Sequence, residues 1–348
     1  MGAGSSEAES GRGKSAIKGI ERCAIEVMRS HAGDPDLVEH KVQAVVRLSQ
    51  RARMSSTYKP ALLKAIARIS SRRPSNAITL RELGAEFARL FWNQTIVFHL
   101  RQAATITKEP EVLGQIRKVS AAAGVRDFSR LPRSAAMAIE IAMAQILTID
   151  VLRRFHNNAP VSMTPLFCWV PGTDYIALTD KARDFVVANH TVLDLIANHW
   201  WAGYLEKVNV LAPAIINKVQ ADGARRGSLT AYLAILAGLD EGRCFYCNRV
   251  FSEALRPSVD HVLPWSFLLA DPLWDLVLAC MDCNLAKSDR LPERHFMDRL
   301  VERNVLRSHR HSAIFSASPS IESGQEYRLY EAAISVEWPG YWVPASTY

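Results

Sequence analysis

With 348 residues, 49% of them hydrophobic and 22% charged, the chain is long enough for two or three domains and too apolar to stay disordered. Its formal net charge of +7 favours phosphate-rich partners through counterion release, although many basic proteins never meet nucleic acid. The first fifteen residues are mostly small, polar or charged and hold no apolar core of a secretory signal, so a cytoplasmic protein is expected.

In chain order, residues 1–15 read as a disordered tail. Within it Ala8 to Ser15 (A-E-S-G-R-G-K-S) matches the loose form of a phosphate-binding loop. No strand precedes it to aim the loop at a helix start, so the match is by chance. Apolar spacings of three and four predict helices over Ile17 to His31 and Leu37 to Arg51, with a shorter one over Lys59 to Ser70. Thr79, with Glu82 three positions on, forms a capping box that opens a helix toward Trp92. Pro132 leads into a helix from Ser134 to Arg154. Glu140, Gln145 and Asp150 interrupt its apolar run, so it reads as buried in protein and not as a membrane span.

Phe167 to Leu178 reads as a small hairpin turning at Val170 to Asp174. Thr179 and Asp180 cap one long helix through His190 toward Tyr204, and a last helix over Leu229 to Leu239 follows. His190 and His199 fall on opposite faces of such a helix and cannot share a metal. Trp200 and Trp201 read as core or interface ahead of a base-stacking platform, and Cys23 and Cys168 as buried thiols. Arg72-Arg73, Arg225-Arg226 and the group Arg303, Arg307 and Arg310 are either solvated faces or tracks for a phosphate backbone. His309 and His311 alternate with Arg310 in apparent loop, a weak metal signal.

The chemistry concentrates between residues 244 and 292. Two Cys-x-x-Cys turns, Cys244/Cys247 and Cys280/Cys283, are separated by residues 248–279. Two such turns make a closed tetrahedral site for Zn²⁺, which holds a fold together and leaves no position for substrate. A disulfide pair fits poorly without signs of secretion, and a redox motif needs only one turn. Between the turns, a strand ending in Val259-Asp260-His261 and an apolar strand over Leu276 to Ala279 precede a helix from Cys280 onward. Asn284 and Lys287, three apart, share a side of that helix. If the helix packs across the two strands, Asp260, His261 and Asn284 converge. Oxygen ligands from Asp260 and Asn284 suit Mg²⁺ or Mn²⁺, and His261 suits a general base. The bland alternative is a strand-end Asp-His pair inside a binding zinc ribbon.

The run from Cys244 to Pro292, with D-H-V-L-P-W-S, D-L-V-L-A-C-M-D-C-N and K-S-D, resembles the HNH (ββα-metal) endonucleases of the zinc-containing type. It is also similar to the HNH domain of RNA-guided CRISPR nucleases. The resemblance implies Asp260 and Asn284 as ligands of the catalytic metal, His261 as the base and Lys287 as a phosphate or product contact. The residue usually found as Asn before the second strand is Asp275 here. In the family that side chain braces the loop that holds the base, and an ionised Asp accepts hydrogen bonds without donating them. Tyr58 to Lys64 resembles a segment of bacterial proteins with C-terminal HNH domains, some in restriction or phage defence.

The expected architecture is mainly α. Residues 16–235 form a helical DNA-binding, sensor or partner-docking domain, 236–310 an HNH nuclease domain, and 311–348 an extension packed on the core. The expected activity is Mg²⁺-dependent cleavage of DNA, by nicking as a monomer, with defence proteins or a second copy as further partners and no membrane. Cleavage of RNA or modified DNA is the neighbouring reading. A nuclease-dead, zinc-stabilised DNA-binding or adaptor protein is the alternative, hinted at by Asp275.

Overall fold

Local signals fix most helix starts. In the computed structural model, which describes residues 37–52, 54–105, 109–157, 165–221, 227–239, 242–310, 324–336 and 338–345, Thr79 makes the expected capping box. Its hydroxyl accepts from Glu82 N at 3.1 Å, and its own N–H donates to Glu82 Oε2 at 2.8 Å. The elements in order are α1 (Leu37–Arg51), α2 (Tyr58–Arg72), β1 (Ala77–Thr79) and α3 (Leu80–Trp92), which ends in a π turn over Asn93–Val97. Then come α4 (Glu111–Ala123), α5 (Arg133–Ile146), β2 (Tyr175–Ala177), α6 (Asp180–Ala188), α7 (His190–Val208), α8 (Ile215–Gln220) and α9 (Thr230–Leu239). The C-terminal part holds β3 (Pro257–His261), α10 (Trp265–Leu268), β4 (Leu276–Cys280), α11 (Met281–Lys287), β5 (Leu291–Pro292), α12 (Arg294–Arg310), α13 (Gln325–Ser335) and β6 (Tyr341–Trp342). The fold is mainly α, with three two-stranded sheets among the described residues.

The contacts divide the chain into two units: residues 1–97 with 101–208, and 98–100 with 209–348. The division at 208/209 falls earlier than the 235/236 boundary drawn from sequence, because α9 packs on β3 and β4. The helix expected at Ile17 to His31, Cys23, the pair Arg225-Arg226 and His311 lie outside the described residues.

The first unit is a helical core around Phe87, Phe91, Trp92 and Trp201, all buried. Trp201 donates to Gln102 Oε1 at 2.9 Å, which places it in the core, as expected. Under it runs a charged network. Lys64, fully buried, reaches Asn198 and Asp194, while Arg68 bonds Asp194 at 2.8 Å and Arg72 bonds Glu86 at 3.0 Å. Arg73 meets Glu82 at 2.6 Å, so both members of the Arg72-Arg73 pair are matched by carboxylates.

Several expectations need correction. The helix drawn from Thr179 to Tyr204 breaks at Asn189, whose side-chain amide donates to Phe185 O at 2.8 Å and competes with the helix ladder. Phe167 to Leu178 closes by a single bridge, Cys168 to Ala177, and β2 takes β1 as its main partner. Cys168 is buried but disulfide-bonded, not a free thiol. The Arg294–Arg310 segment is a helix where sequence suggested loop around His309. Its inward face carries the part-buried Arg303 and the buried Asn304 and Arg307 beside Phe296, Met297 and Leu300, which hides the apolar period.

The run Arg133–Arg154 is long and apolar enough to cross a membrane by length and composition. Here it passes from α5 through a π turn at Leu147–Val151 and packs one face against α3. Gly84 makes that approach possible, since a Cβ there would stand 2.2 Å from Glu140 O. Gly84→Ala gains about 1 kcal/mol in helix propensity, yet the facing atom is backbone and cannot swing aside. We expect net destabilisation of about 1–3 kcal/mol in urea unfolding; unchanged or higher stability would contradict the close packing.

Candidate active site

The second unit is built around the two thiol turns. The first turn, residues 244–247, is pinned by Phe245 N donating to Leu278 O at 2.8 Å, and Cys280 N points at Cys244 Sγ at 3.3 Å. The four sulfurs of Cys244, Cys247, Cys280 and Cys283 lie within 4.8 Å of one another, and Cys247 Sγ sits 3.8 Å from Cys280 Sγ. Zinc–sulfur bonds of about 2.3 Å at tetrahedral angles put sulfurs about 3.8 Å apart, so the donor set fits Zn²⁺ in a closed site. Arg249 donates to Cys247 Sγ at 3.4 Å and to Cys280 Sγ at 3.1 Å, and pairs with Asp282 at 2.7 Å. Burial would raise the Cys247 thiol, but Arg249 and backbone N–H donors bring it down to about 7. Burial pushes the Cys244 and Cys283 thiols up. A metal cation is what reconciles all four as ligands.

From this clamp β3 and β4 run antiparallel, with Asp260 opposite Val277 and His261 opposite Leu276. Helix α11 leaves β4 at Cys280 and crosses back over the hairpin, so its two ends are fixed by different means. Cys283 ties the first turn to the thiol cluster. Lys287 ties the last turn to β3, donating to His261 O at 2.6 Å and standing 3.3 Å from Asp260 Oδ2. Tyr246, in the middle of the first thiol turn, donates to the same Asp260 oxygen at 2.8 Å. Burial and the neighbouring Asp260 carboxylate raise the Tyr246 phenol well above its ordinary value, which keeps its proton in place.

One Asp260 oxygen is therefore held by Tyr246 and Lys287, and the other accepts no hydrogen bond among the described residues. Asn284 donates its amide to Ser258 Oγ at 3.0 Å and to Val259 O at 3.3 Å, and its Oδ1 likewise accepts none. Asp260, His261 and Asn284 line one cavity of about 300 Å³, with Trp265, Leu285 and Asp289 at its wall. Two hard oxygen donors at a space that admits water suit Mg²⁺ or Mn²⁺, which keep several waters and take few protein ligands. His261 lines that cavity while only 1% exposed, and its Nε2 lies 2.9 Å from Asp271 Oδ1.

Two further residues of the motif are buried. Lys287 is fully buried and bonded inward, where it braces Asp260. Asp275 is also fully buried and is not among the residues that line the cavity. Its Oδ1 accepts from Leu263 N at 2.8 Å, two residues beyond His261, while Oδ2 has no hydrogen bond. The acceptor half of the loop brace is thus present and the donor half is not. Arg303 and Asn304 secure the same loop from α12: Arg303 donates to Leu276 O at 2.9 Å and Trp274 O at 3.0 Å, and Asn304 to Trp274 O at 3.0 Å. Burial brings the Arg303 guanidinium down to about 9. Arg307 is buried, Arg303 is partly buried and bonded inward, and the Arg310 side chain lies outside the description. Tyr246, Asp271 and Arg303 were not legible as site residues, because each acts across the fold and belongs to no local spacing.

Residues 244–293 match the family model described as HNH endonuclease. The C-terminal module is an HNH module. Its strands, its crossing helix and its four-cysteine centre all lie inside or at the edge of the matched stretch. No curated protein and no solved structure matches the chain.

Burial lifts the Asp275 carboxyl well above the usual carboxylate range. Above about pH 4 the unfolded Asp ionises while the folded one holds its proton, so this group costs stability as pH rises until its folded value is passed. Asp275→Asn removes that cost. Its stability advantage over the native chain, read by denaturant unfolding, should widen as pH rises above about 4; a constant or shrinking difference would contradict this burial.

Proposed function

We propose that the protein is an endonuclease that hydrolyses phosphodiester bonds in DNA with Mg²⁺ or Mn²⁺, its four cysteines holding a structural Zn²⁺. The observation that carries this reading is the convergence of Asp260, Asn284 and His261 on one cavity within the matched HNH stretch. Asp260 and Asn284 would hold the cation through their two unbonded oxygens. That cation, when bound, supplies charge stabilisation for the phosphorane and the leaving 3′ oxygen. His261 takes the proton of the attacking water, the water oxygen bonds to phosphorus, and the P–O3′ bond breaks, the leaving oxygen being protonated from solvent. Lys287 and Tyr246 hold the Asp260 carboxylate in place without touching substrate. A formal charge of +7 favours approach to a polyanion. One such centre makes one cut, so a monomer nicks, and a defence role alongside other proteins or a second copy is the setting we favour.

The test is conversion of supercoiled plasmid to open circles by purified protein with Mg²⁺ or Mn²⁺. His261→Ala should slow nicking by about 10²–10⁴-fold with unchanged melting and zinc content. A native protein that shifts plasmid but leaves it intact would establish the adaptor reading, and one that cuts only RNA would move the substrate class. Undiminished cutting by His261→Ala would remove the base from its assigned place.

A further inference from the structure

The carboxylate of Asp271 meets the ring of His261 at hydrogen-bonding distance, and it belongs to no motif. The geometry points to Asp271 as the positioning residue that fixes the His261 imidazole in its Nε2–H tautomer, so that the lone pair on Nδ1 is the one offered to water. This inference rests on the reading of His261 as the base.

The contact is short and built. His261 Nε2 and Asp271 Oδ1 are 2.9 Å apart, with His261 1% exposed and the Asp271 side chain 27% exposed. A carboxylate only accepts, so the ring nitrogen facing it must carry the hydrogen. In a neutral imidazole the proton then sits on Nε2 and the lone pair on Nδ1. A ring free to choose would divide its population between two tautomers, and only one of them presents the correct nitrogen. When Nδ1 receives the water proton, the ring becomes a cation, and the adjacent carboxylate stabilises it in a partly dewatered site.

The chain between β3 and β4 is shaped to deliver this carboxylate. After α10, Leu269 takes a left-handed conformation with φ of 52°, which reverses the backbone toward His261. Pro272 follows Asp271 directly and biases it to an extended conformation. The next turn is closed by Asp275 N donating to Pro272 O at 2.9 Å. Leu273 and Trp274 are buried, and Arg303 and Asn304 both grip the Trp274 carbonyl. The loop therefore holds Asp271 from both sides, and its place opposite the ring does not depend on a surface side chain finding its partner by chance.

The experiment compares native protein, Asp271→Asn and Asp271→Ala, each zinc-loaded and full length. In plasmid nicking with Mg²⁺, kcat should fall about 10–100-fold in Asp271→Ala, with KM for plasmid and the melting temperature unchanged. Asp271→Asn, which keeps an acceptor but loses the charge, should fall between. In parallel, ¹⁵N spectra of the histidine rings without added Mg²⁺ should show His261 as a single Nε2–H tautomer in native protein and as a mixture in Asp271→Ala. An Asp271→Ala protein with native kcat, or an unchanged His261 tautomer in that variant, would overturn the proposal. If native protein fails to cut any substrate, the nuclease reading fails separately, and the ¹⁵N comparison still decides whether Asp271 sets the ring.

Discussion

Four cysteine sulfurs held within 4.8 Å of one another are the constraint on which the second unit depends. As thiolates they repel at that spacing, and as buried thiols they leave weak donors without strong acceptors. A bound cation resolves both problems at once. The consequence reaches well past the metal. The first thiol turn places Tyr246 against Asp260, and the second sets the exit of β4 and the first turn of α11, which carries Asn284. Asp260 and Asn284 at the cavity are thus each met or carried by a chain segment that the thiol cluster anchors.

A second tie works at the other end of α11. The Lys287 ammonium is buried beneath β3, where the Asp260 carboxylate and the His261 carbonyl replace its water shell. Removing one partner of such a pair leaves an uncompensated buried charge and typically costs about 3–5 kcal/mol. The pair thus restricts the helix to one position across the hairpin. It also saturates one oxygen of Asp260 and leaves the other available, which is the arrangement a single divalent cation with a mainly aqueous shell requires.

The parts of this architecture that sequence made legible are those encoded by short spacing. The two Cys-x-x-Cys turns, the strand-ending Asp260-His261 and Asn284 on the following helix are local patterns, as is the Thr79 capping box. What escaped depends on contacts between distant segments. Lys287 looked like a companion of Asn284 on one helix side, but three residues turn a helix only 300°, enough for Asn284 to stand at the cavity while Lys287 points beneath the strand. Helix α12 was missed because its inward face is built partly of the part-buried Arg303 and of Asn304 and Arg307, which are buried with Phe296 and Leu300. Arg72 and Arg73, also offered as a phosphate track, are exposed and paired with Glu86 and Glu82. The doubt attached to Asp275 narrows to one oxygen without a hydrogen bond, since the other accepts from Leu263 N two residues beyond His261.

The central claim is that two metals do separate jobs at sites that share a scaffold. Metal content and nicking followed together during stepwise dialysis against a chelator test it most directly. The account predicts that activity is lost first and returns on adding Mg²⁺, while one Zn²⁺ per chain and the folded state persist until harsher chelation removes both together. Activity that falls in proportion to Zn²⁺ and returns only with Zn²⁺ would contradict it.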